Sequence, residues 1–249
     1  MADALVLDGV SVRYGGVIAL DGVSLTVAPG ITLGLIGPNG AGKTTLINAT
    51  TGIAPLTGGT IALGSRRLDG LPPHRIARAG ISRTYQNIRL FGSLDVRTNL
   101  AAGAYARPGR LSDDAARALL ARAGVAQLDL DALASALPYG DQRRLEIARA
   151  LAAQPAILML DEPAAGMNPT ETARLGSTIR ALANDGIGIL LIEHDMTLVR
   201  AVSDHIVVLN FGEVLARGTP DEIARDPAVI EAYLGTSEEI APRPSTSSG

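Results

Sequence analysis

The segment Gly37-Pro38-Asn39-Gly40-Ala41-Gly42-Lys43-Thr44-Thr45 carries the most explicit chemistry in this chain. It satisfies the phosphate-binding pattern G-x-x-x-x-G-K-[ST]. Lys43 is the sole lysine among 22 basic residues; every other one is arginine. Guanidinium is a wide planar fork, whereas ammonium is a compact point charge on a thin stem. The compact cation suits a tight loop and reaches the β- and γ-phosphates. Gly37, Gly40 and Gly42 allow torsions that bulkier residues resist, so successive N–H groups can turn inward. The Thr44 hydroxyl suits Mg²⁺, and Thr45 suits the α-phosphate region. The segment therefore predicts binding of a nucleoside triphosphate.

Ile157-Leu158-Met159-Leu160-Asp161-Glu162-Pro163 is an apolar run that ends in two adjacent carboxylates. In an extended chain neighbouring side chains point apart, so the two acids can do different work. Asp161 suits Mg²⁺, directly or through water. Glu162 suits the attacking water, as polariser or general base. His194 follows another apolar run, at the edge where parallel sheets bind ligands. It could hydrogen-bond a γ-phosphate and the water. Gln86 lies after a short β-like run and before a helical stretch. From there it could reach both metal and water. A lone histidine or loop glutamine is more often structural, so spacing alone leaves both open; His74 and His205 carry no such signal.

The elements that must position these groups follow from periodicity. Residues 4–14 and 17–28 read as two strands around Tyr14-Gly15-Gly16, and Ile31 to Ile36 runs into the phosphate loop. A helix from Lys43 to about Thr51 follows, closed by Gly52. A strand is expected at 58–63 and a short helix at 73–79. From 94 to 153 alternation gives way to helical spacing, with a loop at Pro108-Gly109. Ile157–Leu160 and Ile187–Ile192 are continuous apolar runs, as strands buried on both faces should be. Two more strands are expected at 205–209 and 213–216. The expected fold is α/β: a phosphate-loop core of mixed or parallel sheet with helices. An antiparallel β subdomain and an inserted helical subdomain (about 94–153) complete a domain of residues 1–235. Residues 236–249, rich in Ser, Thr and Pro, read as a disordered tail.

Bulk properties narrow the function. The chain has 249 residues, 47% hydrophobic but only 3% aromatic, so its core must be aliphatic. Its net charge of −3 argues against a general nucleic-acid binder. The sequence has no run of 18 apolar residues of the kind that spans a membrane, and the start lacks the pattern of a secretory signal. Cysteine is absent, which rules out disulfides and thiolate metal sites. ATP use favours the cytoplasm.

Tyr14, the phosphate loop, Gln86, residues 137–144, Asp161-Glu162 and His194 occur in one order. That order resembles the nucleotide-binding cassette of ATP-binding cassette (ABC) transporters over about residues 4–235. Gln86-Asn87-Ile88-Arg89-Leu90-Phe91, Asp161-Glu162-Pro163-Ala164-Ala165-Gly166-Met167-Asn168-Pro169 and Asp226 to Gly235 are similar to cassettes of branched-chain amino acid importers. The resemblance implies an ATP- and Mg²⁺-dependent ATPase that drives transport. Tyr14 would stack on adenine. Asp161, with Thr44 and Gln86, would hold Mg²⁺; Glu162 would hold the water and His194 the γ-phosphate. Gln86 would report nucleotide to the membrane partner. The family works as a head-to-tail pair, so Pro138, Tyr139, Gly140, Asp141 and Gln142 would cover the partner's ATP. That signature departs from the usual Leu-Ser-Gly-Gly-Gln. Pro138 replaces Ser, Tyr139 replaces the first Gly and Asp141 replaces Gln. Pro138 has no hydroxyl to give, and a helix from about Asp141 would present its N-terminus instead.

The implied partners are a second cassette, integral-membrane permease subunits and, indirectly, a solute-binding protein; no nucleic acid is implied. The chain would sit on the inner face of the cell membrane. Alternatives are a soluble ABC ATPase of DNA repair or translation, an exporter cassette, and an unrelated phosphate-loop kinase or GTPase. The first usually carries two cassettes or long coiled insertions. The last would need neither the segment from Gly140 to Arg149 nor His194.

Overall fold

A computed structural model describes residues 3–105 and 110–238. The expected loop at Pro108-Gly109 and most of the expected tail lie outside the described residues. The chain opens with strands β1 (Leu5–Tyr14) and β2 (Val17–Val27), paired antiparallel around Gly15-Gly16. Strand β3 (Thr32–Ile36) leads through the phosphate loop into helix α1 (Lys43–Thr50). Strands β4 (Gly58–Leu63) and β5 (Arg66–Arg67) then return to the first pair, giving a four-stranded antiparallel sheet in the order β2-β1-β4-β5.

Helix α2 (Pro73–Ala79) and strand β6 (Ile81–Arg83) precede the helical stretch. That stretch holds α3 (Val96–Gly103), α4 (Asp113–Arg122), a 3₁₀ turn at Ala134–Ala136 and α5 (Tyr139–Ala152). Strand β7 (Ile157–Asp161), helix α6 (Pro169–Asn184), strand β8 (Gly188–Ile192) and helix α7 (Met196–Val202) follow. The hairpin β9 (His205–Asn210) and β10 (Glu213–Gly218) leads to α8 (Pro220–Ile223) and α9 (Pro227–Glu238). The second sheet runs β10-β9-β3-β8-β7-β6. All its pairings are parallel except β9 with β10. The expected α/β core, antiparallel sheet and helical insertion are all present.

Alternation assigns each buried strand to two cores. Leu158, Leu160, Ile189 and Leu191 pack with the helices α3 to α6. Ile157, Met159, Leu190 and Ile192 pack with α1 and the antiparallel sheet. Every residue of β7 and β8 is buried, so these strands carry no polar side chain until their C-terminal ends.

Three expectations shift. The helix expected from about Asp141 starts at Tyr139, because Pro138 sets its cap with φ −54° and cannot itself continue a helix upstream. Helix α9 runs through 236–238, residues expected to belong to the tail, because a nucleated helix extends at little cost. The chain is not extended across Glu162. Its φ is +47°, its N–H donates to the Ile192 carbonyl at 2.9 Å, and its carbonyl accepts from Ala165 N–H at 3.3 Å. A tight turn begins at the catalytic candidate itself.

Candidate functional site

Parallel strands end at one edge of the sheet, and the candidate residues leave from that edge. The phosphate loop follows β3, Gln86 follows β6, Glu162 follows β7, and His194 follows β8. This is where α/β sheets bind ligands.

The phosphate loop is shaped by close approach. A β-carbon on Gly37 (φ +150°) would run into the Leu209 carbonyl. One on Gly42 (φ +104°) would lie 2.8 Å from the Ala19 carbonyl and from Leu20. Gly42 caps α1 with no side-chain hydrogen bond. The first N–H groups of the helix are thus left for an anion. Lys43 Nζ donates to the carbonyls of Gly37 (2.6 Å) and Pro38 (2.9 Å), so the ammonium is folded over its own loop. Burial pushes its pKa below the ordinary lysine value, partly offset by the Glu162 and Asp161 carboxylates. Asn39 to Thr45 line a cavity of about 510 Å³, together with Gln86, Glu162, Val17, Ile18, Ala19, Phe211 and Gly212.

Glu162 is bonded on one side and flanked on another. Gln86 Nε2 donates to its Oε2 at 2.9 Å, and His194 Nδ1 stands 3.9 Å from the same oxygen. A non-glycine residue held at positive φ stores strain of order 1–3 kcal/mol, and such residues cluster at active sites. Asp161 is buried, and its Oδ2 accepts from Arg83 Nη2 at 2.8 Å. Arg83 also donates to Asn48 Oδ1 of α1 at 2.7 Å, so it ties the strand-end acid to the helix behind the phosphate loop. Glu193, next to His194, is a buried carboxylate that accepts from the backbone N–H groups of Ala164, His194 and Asp195. Burial raises its pKa, partly offset by those donors.

Helix α5 reaches the site from the other lobe. Arg143 is fully buried, and its guanidinium donates to the carbonyls of Tyr85 and Gln86 at 2.5 Å each. Glu146, also buried, accepts from Arg143 Nη1 at 2.9 Å and from Arg89 N–H at 3.1 Å. Burial pushes Glu146 above the usual carboxylate range. The pair clamps residues 85–89 onto α5. At the helix N-terminus Pro138 caps without a side-chain hydrogen bond. Pro138 and Tyr139 are exposed, Gly140 is buried, and Gln142 Nε2 donates back to the Leu137 carbonyl at 2.8 Å. Asp141 lies inside the first turn rather than at the cap position.

The structure thus brings Lys43, Thr44, Thr45, Gln86 and Glu162 to one cavity. Residues 138–142 are not part of its lining, and Tyr14 stands half-exposed beside the hairpin turn, paired with cavity-lining Val17. Sequence reasoning passed over Arg83, Arg143, Glu146, Glu193 and Phe211. Only Arg143 and Glu146, three apart on a helix, carried a local signal.

Mg²⁺ fits this donor set. No cluster of three His, Asp or Glu side chains forms a metal cage among the described residues. Mg²⁺ needs none, because it keeps waters and takes oxygens from substrate phosphates. Thr44 and Gln86 line the cavity, and Arg83 leaves Oδ1 of Asp161 for a cation or its water.

Residues 20–165 match the family described as ABC transporter. Residues 213–239 match one described as branched-chain amino acid ATP-binding cassette transporter. The high-affinity branched-chain amino acid transport ATP-binding protein LivG of Salmonella typhimurium is 48% identical over 249 aligned residues, covering 93% of this chain and 97% of its own. BraF of Pseudomonas aeruginosa, of the same description, is 44% identical with the same coverage. The lipopolysaccharide export system ATP-binding protein LptB of Escherichia coli is 37% identical, covering 89% of this chain and 93% of its own. Among solved structures, the ADP conformation of MJ1267, an ATP-binding cassette of an ABC transporter, superimposes with a TM-score of 0.84 at 29% identity. It covers 94% of this chain and 100% of that one.

Proposed function

This chain belongs to the ABC transporter family and is an ATP-binding, ATP-hydrolysing cassette; we propose how its residues divide that work and what it serves. It energises an importer of branched-chain amino acids. The greater identity to LivG and BraF than to LptB supports import over export. The observation that carries the catalytic assignment is the single cavity lined by the phosphate loop, Gln86 and Glu162.

Gly37 to Thr45 grip the triphosphate through inward amides and the α1 N-terminus. Lys43 leaves the Gly37 and Pro38 carbonyls for the β- and γ-phosphates. Thr44, Gln86 and Asp161 would hold Mg²⁺, which neutralises phosphate charge when bound. Glu162 orients a water and draws its proton as the oxygen attacks the γ-phosphorus. The bond to the β–γ bridging oxygen breaks, and ADP leaves with that electron pair. His194 hydrogen-bonds the γ-phosphate, and Gln86 links the site to the lobe that moves. Tyr14 lies against the adenine.

The signature residues 138–142 stand apart from their own cavity, so a second cassette must supply them. Two cassettes then close on ATP head to tail, and hydrolysis releases them. Permease subunits, fed by a solute-binding protein, would dock near the junction of the two lobes and hold the pair at the inner face of the membrane. The test is ATP turnover by the full chain, alone and with its permease subunits in liposomes. Turnover stimulated by the permease and by branched-chain amino acid supports the assignment. Turnover indifferent to both overturns it.

A further inference from the structure

The phosphate loop explains only one end of the nucleotide cavity. The rest of its lining includes an apolar lip of Val17, Ile18 and Phe211, which are 66%, 44% and 87% exposed. Phe211 is one of two phenylalanines in the whole chain, and it stands in water at the tip of the β9–β10 hairpin. Its backbone is left-handed, with φ +46°, a region that bulky residues rarely adopt. Phe211 and Gly212 (φ +82°) are the two-residue loop between Asn210 and Glu213, and positive φ at both positions matches the twist of the strands they join.

The loop is also fastened to its neighbours. The N–H of Gly212 donates to the Ala41 carbonyl of the phosphate loop at 3.0 Å, and its carbonyl accepts from Asp21 N–H at 2.9 Å. A β-carbon on Gly212 would lie 2.9 Å from the Ala19 carbonyl. The hairpin tip is thus fastened to the phosphate loop and to β2, while the ring it carries packs on little. A hydrophobic ring on a fastened backbone at the mouth of a site is placed to meet a ligand.

We propose that Phe211 forms a wall of the nucleoside end of this cavity and grips the purine or its ribose. This rests on the ATPase assignment above and adds a second aromatic contact to that of Tyr14. The cavity then matches a nucleotide end for end. Amides and Lys43 face the phosphates, and Val17, Ile18 and Phe211 face the flat apolar part. Base–aromatic contact tolerates any base, so Phe211 adds affinity rather than base selectivity.

Equilibrium binding of MgATP and of inorganic tripolyphosphate to the full chain, measured by calorimetry, tests this. Phe211→Ala should weaken ATP roughly tenfold and leave tripolyphosphate within about twofold. Phe211→Tyr should restore ATP affinity, because it keeps the ring. Phe211→Gly should lose ATP affinity as Ala does, yet melt no lower without nucleotide than Phe211→Ala, because glycine accepts the positive φ. Unchanged ATP affinity in Phe211→Ala, or equal loss of both ligands, overturns the proposal. Lys43→Ala separates the underlying assignment. It should lose both ligands, and ATP binding that survives it would sink the phosphate-loop site itself.

Discussion

Glu162 shows what single residues contribute here. Its positive φ, its bond from Gln86 and its place at the end of β7 fix one carboxylate against the phosphate cavity. Glu162→Gln keeps the shape and the acceptor but removes the base. ATP affinity should stay within about threefold, while turnover falls on the order of a hundredfold or more. Phosphate release at the parental rate would contradict the role. Lys43 gives a pH prediction. Burial lowers its pKa from 10.5, and only the ammonium attracts phosphate. ATP affinity should therefore decline on the alkaline side, as pH rises through that lowered value. Calorimetry from pH 7 to 10.5 reads it; an affinity that is flat across that range would mean that Lys43 in the complex does not titrate below its ordinary value. The Lys43 segment was legible because its chemistry lies in contiguous backbone. Phe211 was not, because its meaning comes from Ala41 and Ala19, far away in the chain.

At the scale of elements, the decisive contact joins α5 to the Gln86 segment. Arg143 and Glu146 are both buried and tie residues 85–89 to the helix that bears the signature. A change at one end of α5 is then felt at Gln86, which touches Glu162. Breaking one half of a buried pair leaves an uncompensated charge and costs about 3–5 kcal/mol. Arg143→Met should lower stability by that order in urea unfolding. Arg143→Met with Glu146→Leu should recover most of the stability, because no charge is left stranded, but not the turnover. Recovery of both would make the pair a stability device alone. The strands β7 and β8 were legible as continuous apolar runs, since both their faces are buried. The start of α5 at Tyr139 was read two residues late, because Asp141 resembles a cap and the proline actually supplies it.

At the scale of the whole molecule, the proposed head-to-tail pairing gives each chain two half-sites. Residues 138–142 do not line the cavity of Lys43, and Pro138 leaves the N-terminus of α5 without a side-chain cap. Glu162→Gln with MgATP should therefore run as a dimer in light scattering, and Lys43→Ala as a monomer; equal masses would refute pairing through ATP. Global stability should also carry an acid signature. Glu146 and Glu193 have pKa values raised by burial. A raised carboxyl contributes fully below its ordinary value of 4.5 and loses that contribution as pH rises through the raised value. Removing one such group should flatten the decline. The urea midpoint of Glu193→Gln should fall less between pH 4.5 and 8 than that of the parent chain. Parallel slopes would show that Glu193 titrates alike folded and unfolded.

The amino-acid order by itself determined that this chain grips a triphosphate, that two acids end a buried strand, and that a helical insertion divides an α/β core. Those features are local: torsions, hydropathy and adjacent side chains act within a few residues of one another. Only the tertiary structure decided that Gln86 bonds Glu162, that Arg83 holds Asp161, and that Arg143 and Glu146 hold the segment between. It alone set Phe211 at the mouth of the cavity. Those contacts join strand ends and loops brought together at one sheet edge, and their register follows from packing rather than from sequence distance.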